Sequence, residues 1–501
     1  MRILYIDIDS LRPDHLGCYG YHRDTSPNID RIAAEGVRFD NVFVSDAPCV
    51  PSRSSLFSGR MGIHTGVIDH GGTASDPFVE GPGRTAQSTL SRTSWIRSLR
   101  DAGLRTVTVS SFGDRHSAWH WYASFNEIYN PALGGRDRAD HVAPVATDWI
   151  KRHGTEDDWF LHVNFWDPHE PYRTPADFGD PFDDQPLPAW YTESVRRRLW
   201  DEGVGPSTAR FHPANYALPA NIEMDFSRQQ STIDSMAEAR RMFDGYDTGV
   251  LFADHYIGQI LNCLADQGVL EETAIIISAD HGENLGELNI HGNHETADAI
   301  TTRVPLIVRW PGATDGQAGR VDDALHYHLD FAATSIELVG GTVPDNWDGV
   351  SFADTLRQGE SSGRDHLVVS QAVVNCQRGV RFDRDGCSYM CVRTYFDCYY
   401  GFDEIMLFDL SEDPHEQHNL AAQRPEIVAH AMTLLDQWHA QMMQSATHEI
   451  DPMTTVLREG PSQSRGIRAK YLDRLRAAGR DDWAQRVEAG TTLNARRDLA
   501  P

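Results

Sequence analysis

Ile3-Leu4-Tyr5-Ile6-Asp7-Ile8-Asp9 opens the chain as an apolar, β-branched run broken only by acidic residues near its end. That composition predicts a buried strand. A carboxylate at the carboxyl end of a parallel strand faces the crevice where open α/β sheets bind ligands. Asp7 and Asp9, two apart, share a face of the strand.

Working outward, Ala274-Ile275-Ile276-Ile277-Ser278 is a second buried strand that delivers Asp280-His281-Gly282 at its end. Arg303-Val304-Pro305-Leu306-Ile307-Val308, Val107-Thr108-Val109-Ser110 and Phe160-Leu161-His162-Val163-Asn164-Phe165 read as further strands. Met236 to Ala265 reads as a helix, with Phe252, Tyr256, Ile260 and Leu264 on one face. This alternation predicts an α/β fold, a large, mostly parallel sheet covered by helices on both sides. Residues 174–222, rich in Pro, Asp and Trp and without a period, suggest an inserted lid or substrate loop. Gly359 to Gly363 reads as a linker, which divides the chain into a catalytic domain, 1–365, and a C-terminal subdomain, 366–501. The subdomain holds short strand-like runs around Val368, Val380, Met390 and Leu407, then a charged, helix-like stretch over 450–501.

Composition narrows the class. The chain of 501 residues carries a formal charge of −28, and of its 45 basic residues only Lys151 and Lys470 are lysines. Self-repulsion on that scale opposes compaction in dilute buffer and is screened by salt. Either a salt-loving source or an arginine-rich, GC-rich genome accounts for it. A nucleic-acid partner needs a basic footprint and is not expected. No apolar run reaches the length of a membrane span. The first strand begins at Ile3, leaving no room for a secretory leader, so a cytoplasmic location is expected. Seven cysteines do not form a disulfide framework, and the spacing of Cys376, Cys387, Cys391 and Cys398 fits zinc poorly.

The chemistry is carried by Cys49-Val50-Pro51-Ser52-Arg53, followed by a Ser58-Gly59-Arg60 turn. With Asp9, the segment Ser26-Pro27-Asn28-Ile29-Asp30, Asp280-His281-Gly282 and Arg303-Val304-Pro305, in that order, it resembles the sulfatase family. The resemblance runs over about residues 1 to 420 and implies an alkaline phosphatase-like fold with a smaller C-terminal antiparallel β subdomain. It implies a sulfuric ester hydrolase in which a formylglycine-generating enzyme oxidises Cys49 to formylglycine (3-oxoalanine). The hydrated aldehyde attacks sulfur with one hydroxyl and uses the other to expel sulfate.

The resemblance assigns Asp9, Asp280, His281 and the oxygen on residue 49 to a divalent metal, calcium first, with magnesium or manganese as alternatives. Asp7 is either a further ligand or a buried carboxylate beside the site. Arg53 holds the hydrated aldehyde, His116 accepts its proton and His169 protonates the departing alcohol. Two features depart from the family pattern. Ser10 stands where many sulfatases carry a second aspartate, and both usual active-site lysines are missing, their places falling on Asp114 and on Asn293 or His294. Arg115, His291 and His294 are the candidates to replace that sulfate clamp. The substrate is then a small or oligosaccharide sulfate ester. A phosphonate monoester or phosphodiester hydrolase on the same fold, and a catalytically weak binder of sulfated glycans, are the alternatives. The run Trp119-His120-Trp121-Tyr122 suits either core or a sugar-stacking wall.

Overall fold

The computed structural model describes residues 1–83, 87–202, 207–208, 228–229, 233–465, 467–477 and 479–489. Its main sheet has eight strands: β1 (Arg2–Ile8), β2 (Val37–Phe43), β3 (Arg105–Val109), β4 (Glu127–Tyr129), β5 (Trp159–Phe165), β6 (Thr273–Ser278), β7 (Arg303–Arg309) and β8 (Arg320–Tyr327). The spatial order is β8-β2-β7-β6-β1-β5-β3-β4. All neighbours pair parallel except β7, which runs antiparallel to both β2 and β6. β1 lies near the centre, and Leu4, Tyr5 and Ile6 are fully buried. The run at 3–9 is therefore apolar because neither face meets water.

Two groups of helices flank the sheet. α1 (Pro27–Glu35), α4 (Ala139–His153) and α5 (Met236–Asp266) pack together; α2 (Cys49–Ser58), α3 (Trp95–Asp101) and α6 (His328–Leu338) form the other group. All ten residues of α2 are buried. It ends at Gly59, whose φ of +66° is the left-handed conformation that glycine adopts without strain.

A second sheet is built from β9 (His366–Gln371), β10 (Cys376–Arg384), β11 (Cys387–Phe396) and β12 (Ile405–Asp409), all antiparallel. Its fifth strand comes from the N-terminal part of the chain: Asp46–Ala47 pairs parallel with β9, two residues before Cys49. The α7 helix (Pro425–Ser445) covers this sheet, and helices Pro452–Glu459, Ile467–Ala477 and Asp481–Ala489 follow. The cysteines at 376, 391 and 398 are buried, and none of the seven forms a disulfide. Of the lid expected over 174–222, the structure describes a turn at Ala176–Phe178, helix Glu193–Glu202 and the short strand Ser207–Thr208; residues 203–206 and 209–222 lie outside the described residues, as do 490–501 of the C-terminal stretch. Among the described residues no helix is long and apolar enough to cross a membrane.

Candidate active site

Parallel strands end on one edge, and the chemistry-bearing residues gather there. Asp9 follows β1, Arg115 and His116 follow β3, His169 follows β5, and Asp280 and His281 follow β6. Helix α2 brings Cys49 and Arg53 to the same edge, one turn apart, so both side chains reach the end of β1.

The centre is an ion cluster closed to water. The Arg53 guanidinium donates through Nε to Asp280 Oδ2 and through one terminal nitrogen to Asp9 Oδ2, both at 3.0 Å, and through the other to Asp7 Oδ2. Its face lies 4.8 Å from the Phe112 ring centroid. Burial opposes the charge on Arg53, but Asp280, Asp7 and Asp9 outweigh it and raise its pKa. Burial pushes the Asp280 carboxyl up, with Asp9 and Asp7 adding to it against Arg53. At Asp9 burial is outweighed by His169, Arg53 and His281, which hold the carboxyl low. Three carboxylates around one guanidinium leave an excess of negative charge, which a divalent cation would neutralise.

The donor set fits such an ion. One atom each from Asp9, Cys49, Asp280 and His281 lie within 4.8 Å of one another, all on buried residues. Cys49 Sγ is 3.1 Å from His281 Nε2, and that nitrogen is 3.7 Å from Asp9 Oδ1 and 3.6 Å from Asp280 Oδ2. Burial pushes the Cys49 thiol up, with Asp9 and Asp280 adding, so the unmodified side chain is a protonated thiol and a poor nucleophile. Asp7 lies one layer deeper: its Oδ2 is shared by Arg53 and by His162 Nε2 at 3.2 Å. Ser10 does not replace a carboxylate ligand. It adopts a φ of +61°, its amide donates to Asp280 Oδ1 at 3.2 Å and its hydroxyl to Asp9 Oδ1 at 2.9 Å.

Around this centre stand the remaining candidates. His169 engages the Glu170 carbonyl through Nδ1 at 2.5 Å and turns Nε2 toward Asp9 Oδ1 at 3.9 Å. Burial drives its pKa down, against Asp9. His294 is held by Glu283 at 2.8 Å and lies against His281, ring centroids 4.1 Å apart. Burial disfavours its charge, but Glu283 outweighs it and raises its pKa. Arg115 stacks on Trp166 at 4.6 Å and donates to the Gly135 carbonyl at 2.8 Å, while the neighbouring Asp114 is exposed. His116 lies between Phe112 and His70, with centroids 5.0 Å from each. His291 is not brought in: its Nε2 meets the Tyr191 hydroxyl at 3.2 Å, and Glu287 is the charge that acts on it. The aromatic run divides, with Trp121 buried and Trp119 exposed.

Sequence reasoning missed three contributors. Glu283 fixes His294. Arg173 shares the Gly135 carbonyl with Arg115, at 3.1 Å. His70 accepts from the Val50 amide at 3.3 Å. Glu283 directly follows Asp280-His281-Gly282, so its position was the one available signal; a lone Arg or His on a loop carries none.

Fold and site together define an alkaline phosphatase-like hydrolase. The sulfatase family model matches residues 2–341, and the model described as N-sulphoglucosamine sulphohydrolase, C-terminal, matches 298–444. The chain belongs to the sulfatase family. It is 26% identical over 452 residues to an arylsulfatase of Hemicentrotus pulcherrimus, covering 82% of this chain and 76% of the relative. It is 23% identical over 526 residues to an N-acetylglucosamine-6-O-sulfatase of Bacteroides thetaiotaomicron, covering 91% and 89%. A phosphonate monoester hydrolase of Agrobacterium radiobacter shares the fold with a TM-score of 0.66 at 20% identity, over 88% of this chain and 96% of that one.

Proposed function

We propose that the protein hydrolyses sulfuric esters after a formylglycine-generating enzyme has converted Cys49 to formylglycine. Asp9, Asp280, His281 and the oxygen of the matured residue 49 would hold a divalent metal. The observation that carries this reading is the convergence of those four residues within 4.8 Å inside a negatively charged, buried cluster. Bound there, metal and aldehyde hydrate together supply positive charge for the sulfuryl oxygens and a nucleophile from which sulfate can be released. The oxygen-rich set supports calcium, and the imidazole of His281 admits manganese.

The chain's own groups then have distinct tasks. Arg53, fixed from three sides, holds the hydroxyl of residue 49 beside α2's first turn, where the helix dipole favours negative charge. Arg115, next to the position of one missing lysine, and His294, at or beside the position of the other, orient the sulfate. His291 has no part in this clamp. His169, with Nδ1 committed to the Glu170 carbonyl, presents Nε2 to the leaving alcohol; the negative charge of an arriving ester favours its protonated form. His116 receives a proton from residue 49 as sulfate departs. The likeness to an N-acetylglucosamine-6-O-sulfatase supports a sulfated carbohydrate as substrate. Seven cysteines with no disulfide among them support a reducing compartment such as the cytoplasm.

Ser10 favours a second reading, hydrolysis of phosphonate monoesters or phosphodiesters, because it donates to Asp9 instead of adding a carboxylate. The likeness to a phosphonate monoester hydrolase agrees. The two are separated by kcat/KM for an aryl sulfate against an aryl phosphonate on protein co-produced with the maturation enzyme. The sulfate is expected to be preferred; a preferred phosphonate establishes the second reading. The tryptic peptide carrying residue 49 is expected about 18 Da lighter than the cysteine form. An unaltered thiol in active protein would sink both.

A further inference from the structure

Three distant stretches of chain meet behind Cys49. The Val50 amide, in the first turn of α2, donates to His70 Nε2 at 3.3 Å. The other ring nitrogen, Nδ1, lies 3.1 Å from Nε2 of the Gln463 side-chain amide. Burial, with His294 and Arg115 adding, pushes the His70 pKa down to about 3, so the ring carries a single proton. A nitrogen that accepts from a backbone N–H cannot also hold that proton, which therefore sits on Nδ1. Nδ1–H then needs an acceptor. Turned end for end, the Gln463 amide brings its carbonyl oxygen to the place its nitrogen occupies here and supplies that acceptor, the two amide orientations being distinguished only by the hydrogen-bond network.

The surrounding contacts seat Gln463 firmly. Its own amide donates to the Val373 carbonyl at 3.1 Å. Ser462 donates to Asp69 through its amide at 2.9 Å and its hydroxyl at 2.5 Å. Thr73 donates to Glu459 through its hydroxyl at 2.6 Å and its amide at 3.3 Å. Residues 459–463 thus clasp the loop at 69–73 on both sides of His70. That ring in turn lies 5.0 Å from the ring of His116.

We propose that Gln463 is a positioning residue for the reaction at residue 49. It fixes His70 as the Nδ1–H tautomer, so that Nε2 holds the first-turn amide of the helix carrying Cys49 and Arg53. The C-terminal segment is then part of the active-site wall and not an appendage. The kinetic consequence rests on the proposed function; the tautomer does not.

Histidine ¹⁵N NMR on the full-length, matured, metal-loaded protein tests it, with the His70 signal identified by its loss in His70→Asn. His70 should be protonated on Nδ1 and bare on Nε2. Gln463→Glu keeps an acceptor and should keep both the tautomer and turnover. Gln463→Met, of similar length but without an acceptor, should release the tautomer and lower kcat roughly 10-fold with little change in KM. Wild-type His70 protonated on Nε2 would overturn the proposal. So would Gln463→Met turning over like wild type, or equal losses in both variants, which would mean packing alone. Should the wild type hydrolyse no sulfate ester, the proposed function fails while the tautomer measurement still decides this one.

Discussion

Arg53 is the residue on which the site's electrostatics turn. One guanidinium fork reaches one oxygen each of Asp7, Asp9 and Asp280 at once. An ammonium cannot span that triangle, so Arg53→Lys is not conservative here. It is expected to lower kcat by about 10²–10³, the usual cost of a lost buried donor acting in the transition state. Arg53→Ala strands buried carboxylates and should cost about 3–5 kcal/mol of stability, read by chemical denaturation. A divalent cation should return part of that loss in Arg53→Ala, because it neutralises the same oxygens. A stability unchanged by Arg53→Ala would contradict the geometry. Chelation of matured wild-type protein should likewise abolish turnover and lower Tm, since an ion bound only by the folded state stabilises it. Comparing calcium, magnesium and manganese in the add-back identifies the metal. Asp9, Asp280 and Cys49 were legible as single residues because each stands at a recognisable element end. His291 lies within the short strand Ile290–Asn293, where the sequence does not say which way a side chain turns, and its Nε2 meets the Tyr191 hydroxyl.

At the scale of elements, β1, β3, β5, β6 and β7 of the eight-stranded main sheet were legible because a strand buried on both faces is written as a largely apolar run, whereas β2, β4 and β8, with polar residues through the run or only three residues, were not. Nor was the fifth strand of the second sheet. Asp46–Ala47 has two residues and no pattern, and only its pairing with Ser370 and Gln371 makes it a strand. This pairing fixes the approach to α2, and Gly59 fixes its exit. A Cβ on Gly59 would stand 2.1 Å from the Trp347 ring, in a conformation that already disfavours L side chains. Gly59→Ala is therefore expected to cost about 1–2 kcal/mol from the backbone alone, and more from the displaced indole. Because α2 carries both Cys49 and Arg53, kcat should fall alongside Tm. A variant as stable and active as wild type would show that α2 is seated by its buried residues without the help of its terminus.

For the whole molecule, the dominant fact is a charge of −28, legible from composition alone, and its consequence depends on ionic strength. Salt acts on two opposed sets of interactions. It weakens surface ion pairs such as Arg97–Asp101 and Arg152–Asp148, which, being exposed, contribute little individually. It also screens the repulsion among unmatched acids, a sum over the whole surface that falls away when the Debye length shrinks from about 10 Å at 0.1 M to about 3 Å at 1 M. The second effect should win, because acidic residues number 73 against 45 basic ones. Tm is therefore expected to rise between 0.1 and 1 M potassium chloride. The buried Arg53 cluster, whose charges sit in direct contact and well inside a Debye length, should contribute little to a rise brought about by potassium chloride, so Arg53→Ala should show nearly the same increment as wild type. A flat or falling Tm would mean that the acids are spaced widely enough not to repel, and the composition would then record an arginine-rich genome instead of adaptation to salt. A negatively charged substrate meets the same field, so kcat/KM at low substrate should climb over this range before it levels off.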